Sequence, residues 1–403
     1  MYSSIVIETT LMRRWLIIRK NEIWKIYGTK YTEMTKELLS ATELADLIGE
    51  RTTRIGIKPN LVTPSPAEYG ATTHPEVVAG IIEYLQEHDF DNIIIAEGSW
   101  VGDSTQEAFK YCGYRQLRSE YGVHLVDTQK EKWHQVDCAG MKLNVTDVVD
   151  RVDFWINVPV LKGHAQTKVT CALKNLKGLL PNSEKRRFHT MGLHRPIAHL
   201  AAGITQDFIV IDHICGDLDF EEGGNPVVRN CVMAAVDPVL TDSYVCHLLN
   251  YKTSDVPYIR MAEKLGVGST DLEKLRICQI GYGSEEEGDD KLIVREVDLH
   301  EKSDLPVHRR ILEVAYAVDE VDSCSACYGS LVPALTRLKE EGLLDKLGTK
   351  IAIGQGHRGH TGRLGVGQCT INYDCCVEGC PPSENMIYEE LKAYILSNPT
   401  VEL

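Results

Sequence analysis

The side chains best suited to chemistry are concentrated near the carboxyl end. Six of the thirteen cysteines fall there, as Cys324-Ser-Ala-Cys327, Gly-Gln-Cys369-Thr and Cys375-Cys376-Val-Glu-Gly-Cys380-Pro-Pro. Thiolates are soft ligands, and three cysteine segments in one small domain suit tetrahedral zinc or an iron–sulfur cluster. Cys-x-x-Cys sets two sulfurs on one tight turn, here just ahead of a helical stretch whose amino-terminal dipole favours a negatively charged cluster. Cys369 follows a glycine run (Gly362, Gly365, Gly367) that lets backbone amides approach sulfur. Cys380 sits in Gly-Cys-Pro-Pro, where two prolines stiffen the loop. His357 and His360 are the nitrogen alternatives for zinc, although loop histidines beside Gly and Arg read as solvent-exposed.

A second set of polar clusters interrupts the apolar pattern upstream. Lys58-Pro-Asn60, Thr72-Thr-His74-Pro, Glu97-Gly-Ser99 and Lys162-Gly-His164 each follow an apolar run. Lys174-Asn-Leu-Lys177-Gly, Asp212-His213 and Asp237-Pro with Asp242 complete the set. In an open parallel sheet ligands bind beyond the carboxyl ends of strands, so these segments are expected to converge on one cleft. Lysines and glycine turns there suit an anionic small molecule. The plainer reading is turn and cap chemistry with solvated lysines.

The elements that would position these residues alternate strand and helix. Arg54–Lys58, Asn92–Ala96, Phe154–Val158, Phe208–Ile211 and Val232–Val236 read as strands. His74–His88, with Val77, Val78, Ile81, Ile82 and Leu85 on one face, reads as a helix, as do Ser104–Cys112, Ala198–Gly203 and Asp242–Asn250. This predicts an α/β fold: a large domain on a mostly parallel sheet and a second, smaller α/β cysteine-rich domain. The expected boundaries are 1–50, strands and a helix joined to the large domain; 51–270, the large domain; 271–310, a charged, Gly-rich connection; and 311–403, the cysteine domain. In the last of these Leu331–Glu341 reads as helix, Lys350–Ile353 as strand, and Ser383 as the cap of a closing helix to Leu396. Ile5–Ile7 and Trp24–Tyr27 read as strands of the large sheet or as a separate hairpin.

Composition narrows the function. A formal charge of −15 argues against general binding to nucleic acid or anionic membrane. No apolar run reaches membrane-spanning length, and the first eighteen residues lack the layout of a secretory signal. The chain reads as cytoplasmic, where scattered cysteines stay reduced.

The cysteine set resembles the proximal-cluster domain of nickel–iron hydrogenase small subunits and the related small subunit of respiratory complex I. That resemblance implies one [4Fe-4S] cluster on Cys324, Cys327, Cys369 and Cys380, with Cys375 or Cys376 able to replace Cys369. Upstream, Lys58-Pro-Asn-Leu-Val, Thr73-His-Pro-Glu-Val, Glu97-Gly-Ser, Asn157-Val-Pro-Val-Leu-Lys-Gly-His164, Leu173-Lys-Asn-Leu-Lys-Gly178 and Asp237-Pro-Val resemble domain-of-unknown-function family 362, over about residues 50–265. Many of its members carry iron–sulfur motifs, but the family implies no defined substrate. A third likeness, of His164, Lys174, Gly178-Leu-Leu-Pro181 and His189 or His194, is to the cofactor-binding stretch of nickel-pincer lactate racemase. It implies a histidine and a lysine holding a pyridinium-derived nickel cofactor.

Together these features predict an iron–sulfur oxidoreductase acting on an anionic small molecule. Lys58, Asn60, Lys162, Lys177 and His189 are the expected substrate-binding residues, and His164, His74, Glu97 and Lys174 the expected catalytic ones. No Gly-x-Gly-x-x-Gly fingerprint follows a strand, so electrons are expected from a ferredoxin-like donor. The alternatives are a non-catalytic electron carrier and a nickel-pincer-like isomerase with a structural cluster.

Overall fold

The computed structural model describes residues 17–221, 223, 226–282, 292–299, 310–323 and 325–398. The chain forms two compact units. The larger comprises residues 1–162, 169–217 and 223–305, and the smaller residues 163–168, 218–222 and 306–403.

The larger unit is built on nine strands: β1 (Glu22–Tyr27), β2 (Ile55–Pro59), β3 (Ile93–Glu97), β4 (His124–Asp127), β5 (Phe154–Val158), β6 (Phe208–Asp217), β7 (Pro226–Ala235), β8 (Arg276–Tyr282) and β9 (Leu292–Val297). Their order in the sheet is β9-β8-β1-β7-β6-β5-β2-β3-β4. From β6 to β4 every pairing is parallel, as the alternation of strands and helices predicts. The chain leaves β2 toward β3 and later returns to β2's other side as β5. That reversal is a topological switch point, where parallel sheets open beyond their carboxyl ends.

Helix formation follows the local chemistry. Pro75 opens the helix Pro75–Glu87 with a preset φ and no N–H to lose. Val77, Val78, Ile81, Ile82 and Leu85 are buried at helical spacing, in one apolar cluster with Ile55 and Ile57 of β2 and Ile93 and Ile95 of β3. The helix Tyr31–Ala41, within the segment 1–50 expected to hold strands and a helix, joins that cluster through Met34, Leu38 and Leu39. Ser104 and Asp237 cap the helices Thr105–Tyr111 and Pro238–Leu248 by accepting backbone N–H groups.

Trp24–Tyr27 takes the first of the two placements expected for it, while the stretch 271–310 departs from expectation. Trp24–Tyr27 is part of β1, which lies inside the large sheet between β7 and β8; Ile5–Ile7 falls outside the described residues. Within the stretch read as a connection, β8 and β9 are paired strands. Ile277, Cys278 and Ile280 bury a strand whose signal is obscured by the neighbouring glycines and acids.

The smaller unit holds four parallel strands in chain order: β10 (Val318–Glu320), β11 (Ile351–Ile353), β12 (Leu364–Val366) and β13 (Cys375–Val377). They pack on helices Ser325–Glu340 and Glu384–Ser397 through Leu331, Leu335, Ile387 and Leu391. Ser383 caps the second of these helices, accepting from Met386 N–H at 3.3 Å. The first helix begins at Ser325, earlier than the sequence reading of Leu331, and carries Pro333 in its interior.

Replacing Ile81 by Ala removes fully buried apolar volume where helix and sheet meet. Urea denaturation should show a loss of about 2–5 kcal/mol without a change of fold by circular dichroism.

Candidate functional site

At the switch point the large unit buries charge. Lys58, on the last turn of β2, is 1% exposed. Its ammonium donates to Glu97 Oε2, at the end of β3, and to the Pro59 carbonyl at 2.7 Å. Glu97 also accepts the Gly98 N–H at 2.7 Å and the Leu61 N–H at 3.3 Å. Burial lowers the basicity of Lys58, and Glu97 opposes that effect.

A third buried charge was not anticipated. Lys185, on the helix Asn182–Met191, donates to the carbonyls of Gly98 at 2.8 Å and Ser99 at 2.9 Å. Burial, reinforced by the charge of Lys58 and opposed by Glu97, brings its pKa down to about 8. In sequence it lies in Ser-Glu-Lys-Arg-Arg, which reads as a solvated helix face. Lys58 bonds Glu97 directly, whereas Lys185 bonds only backbone carbonyls and feels the charges of both Glu97 and Asp127. The room for the Lys58–Glu97 pair comes from Gly178, whose Thr128-bonded carbonyl closes the group. A Cβ at Gly178 would lie 1.9 Å from Glu97 Oε1 and 2.6 Å from Lys58 Nζ.

Beside it lies a second network. Lys162 is fully buried and donates to the Ala71 carbonyl at 2.5 Å and to Asn60 Oδ1 at 3.4 Å. Asn60 donates its N–H to Thr73 Oγ1 at 2.8 Å, and Thr73 in turn donates to the Val158 carbonyl. The next residue, His74, gives both its backbone N–H and ring Nδ1–H to Asp212 Oδ2, each at 2.8 Å. Burial works against the imidazolium, but the Asp212 carboxylate outweighs it, so His74 is more basic than usual. Asp212 is fully buried and also accepts the Ile214 N–H.

The remaining expected residues are spread more widely. Lys174 is 3% exposed and donates to Thr170 Oγ1 at 3.2 Å. Lys177 lies 6.0 Å from the Phe188 ring centre, and His189 is half-buried on the helix that carries Lys185. His164 belongs to the smaller unit. Its Nδ1 accepts the N–H groups of Gln166 and Thr167, each at 3.0 Å, and its Nε2 lies 3.0 Å from Glu221. Both ring nitrogens are therefore occupied by this turn. Of the lysines expected to bind the ligand, Lys58, Lys162 and Lys174 are buried with internal partners, and Lys177 is partly buried.

In the smaller unit three cysteines lie past the carboxyl ends of the parallel strands β10, β12 and β13, of which the last two are neighbours, while Cys375 and Cys376 lie within β13. Cys327 lies in the first turn of Ser325–Glu340, Cys369 just beyond β12 and Cys380 just beyond β13. The last two loops are bonded to each other, from Gly367 N–H to Val377 O and from Gln368 N–H to Gly379 O, both at 2.8 Å. Gly367 has φ +90°, and a Cβ there would lie 3.4 Å from Cys327 Sγ. Glycine is required at this bend, and it brings the Cys327 thiol against the Cys369 loop. Arg358 Nε–H donates to Cys369 sulfur at 3.4 Å.

The other thiols are placed differently. Cys376 contacts the Thr370 hydroxyl and donates to the Gly367 carbonyl, while Cys375 packs toward the apolar core. Cys324 lies outside the described residues, and no group of three or more His, Cys, Asp or Glu among the described residues is positioned to hold a metal ion. The loops fit a thiolate-bound centre by their placement and by their glycine and arginine surroundings, while the described thiols are not gathered around one point. His357 is buried, contrary to expectation: its Nε2 donates to Asp319 O and its Nδ1 accepts from Tyr373 OH, both at 3.0 Å. His360 is exposed.

Residues 55–247 match the family model described as Domain of unknown function (DUF362). The DUF362 match contains Lys58, His74, Glu97, Gly178, Lys185 and Asp212, and stops short of the carboxyl-terminal cysteines. A thylakoid-associated protein, sll1697, of Synechocystis sp. (strain ATCC 27184 / PCC 6803 / Kazusa) is 25% identical over 237 residues, 55% of this chain and 70% of that protein. The lactate racemase apoprotein from Thermoanaerobacterium thermosaccharolyticum superposes with a TM-score of 0.36 and 14% identity, over 60% of this chain and 56% of that one. That likeness is too low to transfer any residue's role. No helix among the described residues is long and apolar enough to cross a membrane.

Two substitutions probe the buried charges. Unfolded lysine titrates near ~10.4, so between pH ~8 and ~10 the unfolded chain holds the proton that folded Lys185 has lost. Stability should therefore rise with pH across this window, by up to about 3 kcal/mol. Urea unfolding at both ends of the window should show that this gain is missing in Lys185→Met. Asp212→Asn should cost about 3–5 kcal/mol, as expected for a broken buried pair. It should also lower the His74 titration midpoint followed by NMR.

Proposed function

We propose that this chain is an iron–sulfur oxidoreductase that acts on an anionic small molecule, with Cys324, Cys327, Cys369 and Cys380 holding a [4Fe-4S] cluster. The observation that carries this reading is the placement of the Cys369 and Cys380 loops at the carboxyl ends of the adjacent parallel strands β12 and β13, with Gly367 turned against the Cys327 thiol. When bound, such a cluster supplies one-electron transfer. Arg358 donates to Cys369 sulfur. Gly367 and Gly379 keep Cβ atoms away from the two bonded loops. Cys376, with its thiol turned to Thr370 and Gly367, is better placed than Cys375 to substitute for a ligand.

Substrate binding is assigned to the switch point of the larger unit. Lys58 and Lys185 outweigh Glu97 in charge, and Lys162 adds a further buried ammonium beside Asn60. A buried cationic excess favours an anionic ligand. There Asn60 and Lys162 orient the ligand, and Lys58 exchanges a proton with Glu97. His74, with Nδ1 fixed by Asp212, presents Nε2 as the second proton-transfer group. Electrons come from a small ferredoxin-like donor. The buried lysines favour an enzyme over a carrier without chemistry of its own. The isomerase reading gains no support from His164, whose ring nitrogens already serve its own turn.

The test is oxygen-free purification of the full chain with iron, sulfide and zinc analysis, then electron paramagnetic resonance after dithionite reduction. About four iron and four sulfide per chain are expected for one such cluster, with the reduced signal lost in Cys327→Ser and in Cys380→Ser. Cys380 is exposed, so its replacement spares the core. One zinc with no sulfide overturns the proposal.

A further inference from the structure

A separate group of basic side chains is buried on the sheet face opposite His74. Asp212 and His213 are consecutive on β6 and point to opposite faces. Strand pairing sets Tyr27, Cys231 and His213 in one row across β1, β7 and β6. Lys25 lies one pleat back on the same face of β1, opposite Met233. Lys25 is 8% exposed; its ammonium lies 5.5 Å from the Tyr27 ring centre, and no carboxylate among the described residues pairs with it. His213 is 6% exposed, and its Nδ1 is buried without a hydrogen-bond partner among the described residues.

Each of these conditions is unfavourable on its own. A buried ammonium needs a counter-charge, and a buried ring nitrogen needs a partner. The neighbours do not supply an anion: burial holds the Tyr27 phenol and the Cys231 thiol neutral, the latter pushed up to about 12. Burial, then the charge of Arg229, and also that of Lys25, bring His213 down to about 4 against the opposing pull of Asp212. Both basic side chains therefore act on the ring that lacks a partner. One ligand would relieve both penalties if it carried negative charge and accepted hydrogen bonds.

We propose that Lys25 and His213 form a binding site for a small oxyanion, a carboxylate or phosphate group, across strands β1, β7 and β6 in the middle of the large sheet. Lys25 lies outside the DUF362 match, and the site is distinct from the Lys58 and Lys162 networks. It stands whether or not the cysteines hold a cluster. Lys25 supplies the charge, and the His213 N–H supplies a directional donor. An anion beside the ring stabilises the imidazolium, so binding takes up a proton and strengthens as pH falls. The groups that bear on this titration are Lys25 and Tyr27 of β1, Arg229 and Cys231 of β7, Asp212 on His213's own strand, and Tyr244, which acts on Tyr27 from the helix Pro238–Leu248.

The test is thermal unfolding of the full chain in inorganic phosphate against chloride at matched ionic strength, repeated with acetate, at pH 5.5 and 7.5. Wild type should show a saturable rise in Tm in at least one oxyanion, larger at pH 5.5. Which oxyanion acts distinguishes phosphate from carboxylate recognition. Lys25→Met should weaken binding by at least about tenfold. His213→Gln, a second variant that keeps a neutral donor, should bind with no preference for the lower pH. No oxyanion-specific response in wild type, an undiminished response in Lys25→Met, or an unchanged pH preference in His213→Gln overturns the proposal.

Discussion

The burial of Lys58 against Glu97 is the constraint on which the centre of the larger unit depends. Two charges withdrawn from water are tolerable only when every remaining donor and acceptor nearby is matched. The surrounding features follow from that requirement. Gly178 leaves room for the pair, and Thr128 bonds the Gly178 carbonyl. Backbone N–H groups of Leu61 and Gly98 converge on Glu97. Lys185 then adds an ammonium without adding a carboxylate, leaving this compact interior with positive charge. In a chain of formal charge −15, that local reversal of sign marks the place where an anion is most favoured.

Much of the parallel half of the fold was legible in the sequence, because each strand there is a short apolar run closed by Pro, Gly or a charged turn. Phe154–Val158 and the helix after His74 are examples in which burial and hydrophobic period agree. The antiparallel half was harder. The first residues of β7 alternate partly buried with exposed positions, and β8 adjoins an acidic, Gly-rich run that dominates its composition. The site divided in the same way. Lys58, Asn60, Glu97, His74 and Lys162 could be found because each stands in a polar cluster that interrupts the apolar pattern. Lys185 and Asp212 could not be assigned, since a lysine in a charged helix and an aspartate inside a strand reveal their partners only in three dimensions. The same limit explains why lysines expected to bind the ligand have internal partners.

The smaller unit shows how far local motifs carry. Its strand Ile351–Ile353, closing helix and Ser383 cap are sequence-readable, whereas its three other short strands were not read. The separate environments of Cys375 and Cys376 were not readable from their adjacency. Consecutive strand residues point to opposite faces, so one thiol turns to the apolar core and its neighbour to Thr370 and Gly367. Likewise His357 acts as a brace between Asp319 and Tyr373, a use of histidine that its exposed-looking sequence context conceals.

The position of β1 carries a temporal consequence. It is the first strand among the described residues, yet it lies between β7 and β8, and Glu22 at its start pairs with Arg276, 254 residues later. As the chain leaves the ribosome, this amino-terminal segment has neither lateral neighbour until most of the protein has been made. Until then its apolar residues, Ile23, Trp24 and Ile26 among them, have no sheet to enter. Closure across so long a separation is slow, and unpaired strand edges invite association with other chains. Assembly of the large sheet is thus completed from its beginning only after its end has been synthesised.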